Sequence, residues 1–92
     1  MLFEWDEAKA AQKVRKHGVP FDYAARVFLD PQRLDREDAR REYGEQRRIT
    51  LGKIDDRLFL VTYTARGEIT RLISARKANE REQRKYDETL SA

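Results

Sequence analysis

The chain contains no cysteine, one histidine, one methionine and two prolines. Without cysteine there is no disulfide, no thiolate nucleophile and no cysteine-based zinc site. A lone histidine rules out a multi-histidine metal centre, so neither a metal nor another cofactor is expected. No apolar run approaches the roughly 18 residues that a membrane helix needs. The opening Met1-Leu2-Phe3-Glu4-Trp5-Asp6 lacks a basic region followed by an apolar core. A signal peptide is therefore not expected, and a cytoplasmic location is.

What is present is charge, at 40% of 92 residues, with 39% hydrophobic residues that include four Phe, four Tyr and one Trp. Such a balance raises the question of disorder. The apolar residues are clustered and periodic, however, and the length suits one domain spanning residues 1–92. Net charge is +3, unevenly placed. Residues 1–46 carry 9 basic and 10 acidic side chains, and residues 47–92 carry 11 and 7. The basic second half permits a polyanionic ligand without demanding one.

The segment around Thr70–Arg76 organises the reading. As a strand it alternates between two partly apolar faces, which fits a strand covered on both sides. Ile69, Arg71, Ile73 and Ala75 point one way, and Thr70, Leu72, Ser74 and Arg76 point the other. Each face thus carries an arginine, and a buried guanidinium needs an anionic partner or ligand.

Earlier in the chain, Leu2–Trp5 reads as a short strand and Asp6 as the N-cap of a helix over residues 7–16. Ala8, Ala11 and Val14 form its apolar stripe, and Gly18 stops it. Pro20 opens a second helix over 21–28, whose Phe21, Ala24, Ala25 and Phe28 face the sheet. Residues 32–46 read as a weak strand near Arg33–Asp35 and an exposed loop ending near Tyr43-Gly44. From Arg47 the period becomes two, giving strands at 47–52, 57–64 and 69–76, with turns at 52–56 and 65–68. Leu58–Tyr63 is apolar on both faces and is expected at the sheet's centre. A helix over 77–89 closes the chain, with Tyr86 and Leu90 as its core contacts. The fold class is α+β: a small antiparallel sheet packed against two N-terminal helices, with a C-terminal helix.

No glycine-rich phosphate loop or nucleophile elbow is present. What remains is a set of residue types suited to cleaving RNA without a metal: His17, Arg47, Tyr63, Arg71, Arg76 and Glu82. The RNA 2′-hydroxyl is the nucleophile, so the protein need supply a base, an acid and cations for the transition state. An arginine fork fits phosphate oxygens in two places.

Phe3-Glu4-Trp5-Asp6, Lys16-His17-Gly18-Val19 with Phe21, Gly44-Glu45-Gln46-Arg47, Leu51-Gly52 and Arg71–Ala78 occur in an order that resembles the BrnT toxins of type II toxin–antitoxin pairs. The resemblance spans residues 3–88. It implies a RelE-like fold, a metal-independent endoribonuclease and a BrnA-like antitoxin as partner in a hetero-oligomer, with DNA met only through that antitoxin. Glu82 and Tyr86 match the family's last helix, whereas Gln83 stands where the family has arginine. The expected catalytic set is His17, Arg47, Arg71, Arg76 and Glu82, with Lys16, Arg48 and Tyr63 binding substrate. Each has a plainer role as well: His17 as a helix-end structural histidine, Tyr63 as core, Glu82 as a solvated helix residue. Arg71 and Arg76 start on opposite faces and share a groove only if Arg76 lies past the strand's end. A non-enzymatic nucleic-acid-binding or protein-interaction module is the alternative.

Overall fold

The computed structural model describes residues 1–40, 42 and 44–91. Tyr43, placed by the sequence reading near the end of an exposed loop, lies outside the described residues. Element order is β1 (Leu2–Glu4), α1 (Glu7–His17), α2 (Phe21–Ala24) running into a 3-10 turn (Ala25–Leu29), β2 (Leu34–Glu37), β3 (Arg48–Ile54), β4 (Arg57–Arg66), β5 (Ile69–Lys77) and α3 (Glu80–Ser91). The five strands lie in the order β1-β5-β4-β3-β2, which puts β4 at the centre as its two apolar faces require. The sheet is mixed rather than purely antiparallel, because β1 pairs parallel to β5, Glu4 beside Arg71.

Local signals account for the first helix. Lys9 N–H donates to the Asp6 carboxylate at 3.0 Å, and Gly18, at φ +74°, donates its N–H to Val14 O at 2.7 Å. The inward stripe is Ala10, Val14 and His17 rather than Ala8, Ala11 and Val14, since Ala8 and Ala11 are exposed. The second helix tightens after one turn into 3-10 geometry. Three residues per turn then bury Phe21, Ala24 and Val27, with Phe28 left half-buried.

The β3–β4 turn is shorter than the sequence suggested. Gly52 sits inside β3, and the chain reverses at Asp55 and Asp56, both at positive φ, as a two-residue hairpin loop demands. Gly52 meets the 3-10 turn so closely that an added Cβ would lie 3.1 Å from Val27 O.

One face of the sheet packs on α1 and α2. Val61, Val27 and Leu72 are essentially inaccessible there, beside Phe59, Ile54 and Ala75. Burying each such side chain contributes about 1.5–3 kcal/mol. The other face packs on α3 through Leu51, Leu58 and Tyr86. Tyr86 O–H donates to Asp30 at 2.6 Å, and the Lys53 ammonium lies 5.5 Å from its ring centre. Burial, then the Asp30 bond, pushes the Tyr86 phenol up to about 12. Leu90 does not join this core; it is 44% exposed. The helix also starts later than residue 77, because β5 runs on through Lys77.

Candidate functional site

The site begins with an irregularity. Thr62 pairs with Ser74 and Tyr63 with Leu72, so Ile73 is an extra residue in β5. A bulge of this kind resets the alternation. Leu72 and Ala75, expected on opposite faces, enter the same core against α1 and α2. By the same shift Arg71, opposite Thr64, and Arg76, opposite Leu60, share the α3 face. This corrects the strand parity: Arg76 reaches the face of Arg71 from within the strand, not from beyond its end.

Along β5 these two arginines head separate groups. Arg71 lines a cleft of about 120 Å³ with Arg47, Arg66, Lys9, Asp6 and Glu45. Parallel β1 brings Glu4 to 3.5 Å from the Arg71 guanidinium. Glu45 lies 3.9 Å from Arg47 and 3.5 Å from Arg66. These are looser than the 2.7–2.9 Å of a charge-assisted hydrogen bond. The fourth basic residue of the cleft, Lys9, comes from the first turn of α1, and sequence reading did not single it out.

Arg76 heads the second group. Its Nη1 and Nη2 each donate to Glu82 at 2.8 Å, a fork-to-fork pair. Glu82 is fixed a second time: Asn79 N–H donates to it at 2.9 Å, and Glu82 N–H donates to Asn79 Oδ1 at 2.8 Å. This reciprocal capping box was legible in the spacing Asn79-x-x-Glu82. The Arg76 pair holds the Glu82 carboxyl below its ordinary range. His17 lies within electrostatic reach of Arg76. Burial, followed by Lys16, Lys13 and Arg76, lowers its pKa, so the ring is neutral at neutral pH.

The structure does not place His17 beside Arg47 and Arg71. Lys9, in their cleft, is eight residues earlier on α1, or roughly 12 Å along the helix axis. Five positions of β5 likewise separate Arg71 from Arg76, on the order of 13–16 Å.

Arg48 and Tyr63 are held elsewhere. They are opposite each other on the α1 face, and both bind Asp35: Arg48 Nε donates to it at 2.6 Å, and the Tyr63 hydroxyl donates through a short hydrogen bond. Arg33 donates to the same carboxylate at 2.8 Å and to Thr50 Oγ1 at 3.0 Å. Burial pushes the Asp35 pKa up, but these donors outweigh it and leave it lowered. Tyr63 is raised by burial and by Asp35. Sequence reading had Asp35 merely inside a weak strand, because the network closes across residues 13 and 28 positions away. Arg48 and Tyr63, expected to bind substrate, are thus engaged with one carboxylate on the α1 face, away from Arg71 and Arg76. Lys16 is exposed beside His17.

Among the described residues no three His, Cys, Asp or Glu side chains gather to hold a metal ion. No described helix is long and apolar enough to cross a membrane. The arrangement can bind phosphate with guanidinium forks and can accept a proton at a neutral imidazole.

That chemistry suits a protein that handles a phosphodiester polymer. The chain belongs to the BrnT family, the ribonuclease toxins of type II toxin–antitoxin systems, whose family model matches residues 5–82. Membership implies an antitoxin protein as partner. No curated protein matches the chain.

Proposed function

We propose that this chain is a cytoplasmic endoribonuclease of RelE-like fold that cleaves RNA without a metal, arrests growth, and is neutralised by a BrnA-like antitoxin. Family membership supports the reaction class. The observation that carries the site is the Ile73 bulge, which puts Arg71 and Arg76 on one face.

RNA lies along that face. Arg47 and Arg71 hold one phosphate, and Arg76, kept in place by Glu82, holds another farther along the strand. His17 comes from α1, on the sheet's other face, lies within electrostatic reach of Arg76, and accepts the 2′-hydroxyl proton where the RNA passes that end of β5. The 2′ oxygen attacks the adjacent phosphorus, the bond to the 5′ oxygen breaks, and the imidazolium returns its proton to that leaving oxygen. The guanidiniums offset the charge that gathers on the phosphate oxygens. Glu82 is a positioning residue here, because a carboxylate tied to Arg76 by both oxygens is a weak base. Lys16 adds positive charge beside His17.

Purified protein incubated with total RNA in excess chelator tests this reading. Fragments ending in 2′,3′-cyclic phosphate are expected. Intact RNA from a folded protein, with circular dichroism as the folding control, overturns it.

A further inference from the structure

β2 is the sheet's outer strand beyond β3. The phase of its hydrogen bonds can be read from its end. Asp38 N–H donates to Arg47 O at 2.7 Å, toward β3. Backbone groups alternate sides along a strand, so Leu34 and Arg36 also bond inward. Asp35 and Glu37 therefore point their N–H and C=O groups outward, and among the described residues no other strand meets them. Beside this edge, on the α3 face, lies a cleft of about 350 Å³. Leu34, Leu51 and Leu60 form its floor, and Glu82, Lys85 and Thr89 of α3 form its far wall. Arg36 stands exposed at its mouth, its side chain making no ion pair among the described residues.

We infer that this edge and cleft take one extended segment of the antitoxin as a sixth strand, with an apolar side chain opposite Leu34 and an acidic one opposite Arg36. The inference rests on the toxin reading above. An added strand would bond to Asp35 and Glu37, leaving Leu34 and Arg36 as the non-hydrogen-bonded positions. Side chains come closest at such positions, so matching there selects the partner. The apolar side chain fills the leucine-floored cleft, and the acidic one meets Arg36 and, across the cleft, Lys85. A second copy of this chain fits poorly. Two-fold pairing centred on Asp35, Arg36 or Glu37 would set like charges directly opposite, which is destabilising. Backbone bonds supply affinity, and the cleft and Arg36 supply specificity.

The test uses the full chain co-purified with the protein encoded beside it. Residue-resolved amide exchange by NMR is expected to show the Asp35 and Glu37 amides protected in the complex and open in the free toxin. Arg36→Glu is expected to weaken the complex roughly tenfold, since an attractive cross-strand pair becomes a repulsive one. The variant should cleave RNA at the wild-type rate and so escape neutralisation. A stable complex in which those amides exchange as freely as before, or in which Arg36→Glu binds like wild type, overturns the docking site and leaves the ribonuclease reading intact. A free chain that dimerises with the same two amides protected overturns it too, with a second copy as the occupant. If the wild-type chain cleaves RNA but forms no complex with that protein, the antitoxin inference falls alone. If it does neither, the toxin reading falls first.

Discussion

Arg47 and Arg48 are adjacent in the chain and belong to different environments. Arg48 turns to the α1 face, where it binds Asp35 at 2.6 Å alongside Arg33 and Tyr63. Arg47 lines the cleft of Arg71, with its carboxylate neighbour Glu45 at 3.9 Å. The first face spends its charges on itself. The second holds Arg71 and Arg66 each 3.5 Å from a carboxylate, longer than a charge-assisted hydrogen bond. A count of arginines cannot separate these cases, whereas the sheet face each one occupies can.

The sharpest break in the comparison comes from removing one donor on the open face. Arg71→Ala or Arg76→Ala should slow RNA cleavage by about 10²–10³, or roughly 2.7–4 kcal/mol of transition-state stabilisation. Single-turnover cleavage of a labelled RNA reads the rate. Denaturant unfolding should show a loss of no more than about 1 kcal/mol, as expected of partly exposed ion pairs. Wild-type rates in both variants would return these arginines to a structural role.

The closed face should respond in the opposite way. Asp35→Ala leaves Arg33, Arg48 and Tyr63 without their shared acceptor, and roughly 2–4 kcal/mol of stability should be lost. The side chain is about one-fifth exposed, which keeps the figure below that of a fully buried pair. Urea unfolding measures it, and cleavage by the protein that remains folded should be unchanged. If Asp35→Ala instead stops cleavage at full stability, the two faces have been assigned the wrong way round.

A smaller effect is expected where α3 is fastened. Tyr86→Phe removes one hydrogen bond to Asp30, which keeps its backbone donors from Lys53 and Gln32. A loss of about 0.5–1.5 kcal/mol should follow. A melting temperature unchanged from wild type would show that the ring, and not its hydroxyl, holds the helix.

The smallest change is a shift in a pH profile. Folding lowers the His17 pKa from its ordinary value of about 6.5. Above that value the ring is neutral in both folded and unfolded chains. As pH falls below it, the unfolded chain takes up the proton first, so stability is lost as pH drops toward the lowered value. The acid limb of the cleavage rate should likewise lie below pH 6.5, and His17→Gln should remove that limb. An unaltered profile in His17→Gln would hand the proton to another group.

Much of the fold was readable because it rests on local physics. The Asp6 cap, the Gly18 stop, and the period-two runs of β3, β4 and β5 all depend on neighbours within a few residues. The centrality of β4 followed from its two apolar faces. Leu90 misled because helical spacing shows which residues share a stripe, not whether anything lies opposite them. The candidate site was legible as a list of residue types and as a family resemblance, but not as a geometry.

The sequence by itself determined the α+β class, the chemical repertoire of arginines with one histidine, and the family. Tertiary structure decided which arginines share a face. Strand alternation is a local rule, and one inserted residue at Ile73 reverses it for everything downstream. That insertion exists only relative to β4, because a bulge is a mismatch between two strands and no single strand records it. The same holds for Asp35, whose three donors come from separate parts of the chain. The partner of a charge is chosen by folding, where burial makes an unpaired charge too costly to keep.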